Sequence, residues 1–159
     1  MLKNQKGETK MKTQTKTMTV MDKKEALAKF LKIKQEGIVQ SGEEFEVDNE
    51  SYRVLTDREA DEAVEEYITD SLWAFNADFI AAHTRNGLSE KAIKALGKLQ
   101  GELCEDANDM ILNLIVDMDG FIADAINADG RGHFLAGYDF KEGAEAGRSG
   151  ELFFIYRVN

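Results

Sequence analysis

The segment from Thr56 to Phe75 constrains the fold more than any other part of the chain. Thr56 and Glu59 have the T-x-x-E spacing of a capping box, in which each side chain accepts a hydrogen bond from the other residue's backbone N–H. Apolar residues then recur every three or four positions, which is the period of one helix face. These positions are Ala60, Ala63, Val64, Tyr67, Ile68, Leu72 and Phe75. The segment therefore predicts an amphipathic α-helix that begins at the capping box and buries one face.

The opposite face of this predicted helix is acidic. Its row of carboxylates runs through Glu62, Glu66 and Asp70 and continues to Trp73, the only tryptophan of the chain. Carboxylates four residues apart on a helix are about 6 Å apart along the axis. A carboxylate row that ends in an aromatic side chain is suited to a basic partner surface, although a solvated acidic face would give the same pattern.

Alternating residues before and after the helices predict two β-hairpins. Phe45 and Val47, and then Tyr52 and Val54, alternate with polar residues on either side of 48–50. Residues 132–140 and 151–159 predict a second hairpin across a glycine-rich loop. We expect its aromatic residues to share one face, and these are Phe134, Tyr138, Phe154 and Tyr156.

Helical patterns fill the rest of the chain. Asp22 is a candidate N-cap for a first helix, and Ser89 precedes a helical pattern that runs to residue 100. Residues 102–126 carry an apolar stripe wide enough to predict one continuous central helix with Cys104 as a small core residue. The fold class predicted is α+β, with central helices packed on a small antiparallel sheet built from the N- and C-terminal hairpins.

Charge divides the chain unevenly. Residues 1–34 contain ten lysines and three acidic residues, whereas residues 35–159 contain twenty-seven acidic and ten basic residues. Residues 1–20 lack apolar periodicity and predict a mobile basic tail, followed by a single domain over 21–159. An acidic body repels nucleic acid, because phosphate binding depends on Lys and Arg, and attracts basic protein surfaces.

The sequence offers little support for catalysis, membrane insertion or metal binding. No apolar run approaches the roughly 18–20 residues of a membrane span, and the single cysteine fits a reducing cytoplasm. The two histidines, His83 and His133, are fifty positions apart, and no local nucleophile, metal or cofactor motif is present. These observations predict a cytoplasmic, non-enzymatic protein without a cofactor.

Several segments resemble those of small acidic proteins encoded by bacteriophages and related mobile elements. The resemblance covers residues 45–159 and rests on Ser71–Asn76, Cys104–Asp109, Asp129–Leu135 with Tyr138-Asp139, and Tyr156–Asn159. It implies no activity and no catalytic residue. It implies a genomic setting in which small acidic proteins often counter host defence proteins or host nucleic-acid enzymes.

Charge pattern and resemblance together predict an accessory protein of a phage or mobile element, acting in the cytoplasm of the host cell. It would inhibit a host nucleic-acid-binding or defence protein by covering a basic surface with acidic, DNA-mimic-like faces. The predicted partner-binding residues are Glu59, Glu62, Glu66, Asp70, Trp73, Glu105, Asp106 and Asp109.

Two alternatives remain open from the sequence. The first is a small enzyme or ligand-binding protein whose pocket lies in the Asp129–Asp139 segment, with Arg131, His133, Tyr138 and Asp139 as its polar residues. The second is a virion or assembly component whose acidic residues serve solubility.

Overall fold

The computed structural model describes residues 19–159, so residues 1–18 of the predicted basic tail lie outside the described residues. Residues 19 and 20 already belong to the first helix, α1, which continues to residue 31. The strands that follow are β1 (Val39–Ser41), β2 (Glu44–Val47) and β3 (Glu50–Leu55). The later elements are α2 (Asp57–Asp70), α3 (Ala77–Ala82), α4 (Glu90–Leu103), α5 (Asn108–Leu114), α6 (Met118–Asp129), α7 (Arg131–Leu135), β4 (Gly143–Ala146) and β5 (Leu152–Arg157).

This arrangement confirms the α+β class. The chain forms two compact units. Of the described residues, the sheet unit comprises 19–60 together with Leu135–Asn159, and the helical unit comprises Asp61–Phe134. Within residues 19–159, no helix combines the length and the apolar character needed to span a membrane.

The sheet unit contains a five-stranded sheet in the order β1-β2-β3-β5-β4, with all neighbouring strands antiparallel. The pairing of β3 with β5 joins the N- and C-terminal strands in one sheet, as the sequence predicted. Asp48 and Asn49 link β2 to β3 with φ angles of 48° and 71°. Positive φ at both positions is what a two-residue type I′ hairpin requires, and Asp and Asn tolerate it better than most residues.

The core of the sheet unit lies between α1 and one face of the sheet. Ala26 and Leu27 of α1 are fully buried among side chains from β2, β3 and β5. The alternation predicted for the first hairpin is confirmed, because its apolar residues face this core. The sheet residues that face this core are Phe45, Val47, Tyr52 and Val54 of the first hairpin, with Phe153 and Ile155 of β5.

The prediction for the second hairpin is wrong in its first strand. Residues 131–135 form α7, and β4 lies instead in the glycine-rich segment predicted to be a loop. Gly143 of β4 pairs with Ile155, and a Cβ at Gly143 would lie 2.5 Å from Cζ of Phe30. The close packing of Phe30 explains why a strand here tolerates glycine. Phe153, not Phe154, faces the α1 core.

The helical unit corrects the prediction of one continuous helix over residues 102–126. α4 ends at Leu103, Cys104–Ala107 forms a 3₁₀ turn, and α5 and α6 are separate helices. Cys104 has a φ of 50° and is exposed, so it is not a core residue. The side chain of Asp117 accepts a hydrogen bond from Gly120 N at 3.0 Å and thereby caps α6 at a new start.

The predicted helix starts are confirmed where the capping side chain and its backbone partner are close in sequence. Thr56 N donates to the carboxylate of Glu59 at 2.8 Å and Glu59 N donates to Thr56 Oγ1 at 3.3 Å, which completes the capping box. Ser89 caps α4 through its side-chain oxygen, as predicted, and Asn76 caps α3 in the same way. The predicted apolar stripe of α2 includes Val64 and Ile68, which are both fully buried.

Candidate functional site

The chain around Trp73 is fixed by the side-chain amide of Asn108. After α2 ends at Asp70, Leu72–Ala74 forms a 3₁₀ turn in which Trp73 is half-buried. Asn108 Oδ1 accepts a hydrogen bond from Trp73 N at 2.9 Å, and Asn108 Nδ2 donates to Thr69 O at 3.0 Å. One amide therefore satisfies two backbone groups at the end of α2 and holds the start of α5 against them.

Gln100 forms a second tie to the same turn. Its Nε2 atom donates to Trp73 O at 2.9 Å and to Phe75 O at 2.8 Å, and the residue is buried. A buried amide is stabilising when its hydrogen bonds are satisfied, as they are here. Sequence reasoning missed Gln100 and Asn108, because their partners lie 25 to 39 positions away and no short-range pattern marks them.

These ties bring two predicted acidic segments together. The 3₁₀ turn Cys104–Ala107 packs against the turn that carries Trp73, so the segment 105–109 lies beside the end of α2, where the acidic row ends. We call this group the Trp73 acidic surface. Its members are Glu66, Asp70, Trp73, Glu105, Asp106 and Asp109.

The five carboxylates of the Trp73 acidic surface are exposed. None of them makes an ion pair or a side-chain hydrogen bond with another residue of the described range 19–159. The surface therefore carries like charges near a half-buried indole, and no ion pair within residues 19–159 neutralises them. Such a group of charges creates a local negative potential that falls off over about 10 Å at 0.1 M salt.

Glu59, one of the predicted partner-binding residues, has a structural role in the sheet unit. Lys23 Nζ lies 2.7 Å from its carboxylate, which also serves the capping box with Thr56. Partial burial raises the pKa of Glu59, but the hydrogen bonds from Lys23 and Thr56 outweigh burial and lower it. Glu62 is exposed on α2, and its predicted contact with a partner stays a prediction.

The residues of the alternative pocket are divided between the two units. Arg131 and His133 belong to the helical unit, where Arg131 Nη1 lies 2.9 Å from Asp61 Oδ1. Tyr138 and Asp139 belong to the sheet unit, where the guanidinium of Arg157 lies 3.7 Å from the centre of the Tyr138 ring. The side chain of Asp139 accepts a hydrogen bond from Lys141 N at 3.1 Å.

A cavity of about 300 Å³ opens at the surface of the helical unit, and Tyr67, Ala128 and Asp129 of its lining are exposed. Of the predicted pocket residues, His133 lines it, and so does Asp129 at the start of the predicted segment. The remaining wall is mostly aromatic and small apolar side chains. The complete lining is Tyr67, Ser71, Ala74, Phe75, Asn76, Phe79, Ala125, Ala128, Asp129, His133 and Phe134.

The other histidine, His83, is engaged in the packing of the helical unit. Its Nδ1 atom lies 2.9 Å from Phe79 O and its Nε2 atom 3.0 Å from the carboxylate of Asp124. Its ring also packs against Phe79 and Phe121, with centroids 4.8 and 5.0 Å apart. Within residues 19–159, no three His, Cys, Asp or Glu side chains are grouped as a metal ion would require.

Comparison with known proteins identifies no relative. No family model matches the chain, and neither the curated proteins nor the solved structures contain a significant match.

Proposed function

We propose that this protein is a non-enzymatic binding protein that covers a basic, nucleic-acid-binding surface of another protein. The observation that carries the proposal is the grouping of five exposed carboxylates around Trp73. The resemblance of the sequence to small acidic proteins of phages and mobile elements favours a host nucleic-acid-binding or defence protein as the partner.

The arrangement suits this task for two physical reasons. Clustered carboxylates attract a basic partner and raise the rate of encounter, whereas they repel nucleic acid itself. Trp73 supplies an aromatic group of the type that dominates binding energy at protein interfaces. Because Asn108 and Gln100 hold the backbone on both sides of Trp73, little conformational entropy would be lost at this turn on binding.

A single helix does not match the charge density of duplex DNA. DNA carries about one charge per 1.7 Å of axis, whereas carboxylates in one helix row are about 6 Å apart. The 104–109 segment adds three carboxylates beside the row on α2, which raises the local density. Partner recognition would therefore depend on both segments together, and loss of either should weaken binding.

Affinity capture from a nuclease-treated bacterial lysate tests the proposal. The bait is the full chain, and the test variant carries Glu66→Lys, Asp70→Lys and Asp109→Lys. The control carries the same charge change at exposed acids outside the surface, Glu36→Lys, Glu43→Lys and Asp119→Lys. We expect the wild type and the control to retain a common protein that added duplex DNA displaces, and the test variant to lose it.

Folding of each bait is verified by circular dichroism before capture. Retention of the same protein by the folded test variant would contradict the proposal. If the control variant lost the captured protein to the same extent as the test variant, the proposal would also be contradicted. Binding would then depend on the total charge of the chain and not on the Trp73 acidic surface.

A further inference from the structure

The cavity of the helical unit has the composition of a ligand-binding site. Its volume of about 300 Å³ lies at the lower end of the range for small-molecule sites, roughly 300–1,000 Å³. Four aromatic side chains line it, contributed by α2, α3, α7 and the turn before α3. They are Tyr67, Phe75, Phe79 and Phe134.

These aromatic rings support one another, so the wall exists without a ligand. The Phe75 centroid lies 5.8 Å from that of Phe79 and 6.3 Å from that of Phe134, with both pairs stacked. The Tyr67 ring lies 5.9 Å from Phe134, and the Phe75 carbonyl is held by Gln100. Aromatic faces carry partial negative charge and attract cations within about 6 Å of the ring centre.

The charge at the cavity wall also favours a cation. Asp129 is a lining residue, and its carboxylate makes no ion pair with another residue in the range 19–159. It is also the last residue of α6, so its carboxylate lies at the end of that helix beside the cavity. Among the described residues, the cavity lining includes no lysine or arginine. The nearby Arg131 is paired with Asp61.

We propose that this cavity binds a small organic cation, namely a quaternary or protonated amine that carries an aryl or short alkyl group. The apolar group would pack against the rings, and the ammonium would lie beside Asp129. This function is separate from the Trp73 acidic surface and does not depend on it.

The probe for a direct test is benzyltrimethylammonium, with benzyl alcohol as the neutral and phenylacetate as the anionic comparison. Each is titrated into the ¹⁵N-labelled full chain while amide chemical shifts are recorded. We expect the cation to bind with a Kd in the millimolar range or tighter and to shift the amides of lining residues. Benzyl alcohol should bind more weakly, and phenylacetate should show no saturable binding.

Three variants assign the site. Asp129→Asn should weaken binding of the cation roughly three- to tenfold, because it removes the charge and keeps the shape. Asp119→Asn, an equal charge change on the same helix outside the cavity lining, should leave the Kd unchanged. Ala128→Phe adds a bulky ring to the cavity lining and should change the Kd for the cation, whereas the same change at a residue outside the lining should not.

The proposal is overturned if the wild type shows no saturable binding of benzyltrimethylammonium, or if the shifted amides lie away from the lining residues. Equal affinity for benzyl alcohol would overturn the assignment of a cationic ligand. An equal effect of Asp129→Asn and Asp119→Asn would also overturn it, because attraction to the net charge would then explain the binding.

Discussion

At the residue scale, Asp22 shows how a single side chain can hold distant segments together. Its carboxylate accepts hydrogen bonds from the backbone N and the Oγ of Ser149. Gly147 leaves the necessary space, since a Cβ there would lie 2.5 Å from Asp22 Oδ1. The sequence suggests Asp22 as an N-cap, but α1 already includes residue 19. The actual partner is 127 positions away and has no signature in the local sequence.

We predict that Asp22 makes stability depend on pH in the acid range. Hydrogen bonding from Ser149 lowers the pKa of Asp22. The carboxylate therefore contributes fully to the free energy of unfolding above about pH 5, and this contribution is lost as the pH falls through the lowered pKa. Asp22→Ala should reduce the free energy of unfolding at pH 7 by about 1–3 kcal/mol. Urea denaturation at pH 7 and pH 3 measures both effects. An unchanged pH dependence in Asp22→Ala would contradict this assignment.

At the element scale, the capping box determines where α2 begins. Thr56→Ala removes the acceptor for Glu59 N and should cost about 0.5–2 kcal/mol, as loss of an N-cap typically does. Thr56→Ser retains the hydroxyl and should restore most of the lost stability. Thermal unfolding of the three proteins measures the difference. If the alanine and serine variants were equally destabilised, packing of the threonine methyl group would explain the loss instead.

The register of β5 gives a second prediction at this scale. Phe153 is fully buried against α1, whereas Phe154 is half-buried on the other face of the strand. Phe153→Ala should therefore cost about 3–5 kcal/mol, and Phe154→Ala should cost clearly less. Chemical denaturation of both variants provides the comparison, and a larger loss for Phe154→Ala would show that the register is shifted by one residue.

Elements whose signals are local could be predicted from the sequence, and elements set by distant contacts could not. The first hairpin, the capping box and the cap at Ser89 depend on residues a few positions apart. The breaks that separate α4, α5 and α6 interrupt an apolar pattern that continues through residues 102–126. They depend on contacts such as Asn108 with Thr69 and the bridge between Thr84 and Ile115. Likewise, β4 exists because β5 pairs with it, despite its glycine-rich sequence.

At the scale of the whole molecule, net charge alone does not define a site. The chain carries a formal charge of −10, and most of its helices expose acidic residues. The sequence identified the acidic row on α2 and the acidic segment 105–109 as candidates. Their proximity to each other and to Trp73 depends on Asn108 and Gln100, which are uncharged and belong to no sequence motif.

The most direct test of the proposed function measures the Kd of the captured partner at 50 and 300 mM salt. We predict that Trp73→Ala weakens binding by a similar factor at both concentrations, because loss of aromatic contact area is little affected by salt. The Glu66→Lys, Asp70→Lys, Asp109→Lys variant should lose far more affinity at 50 mM, where like-charge repulsion is less screened. If both variants, shown to be folded, bound the partner as tightly as the wild type at 50 mM salt, the Trp73 acidic surface would not be the binding site.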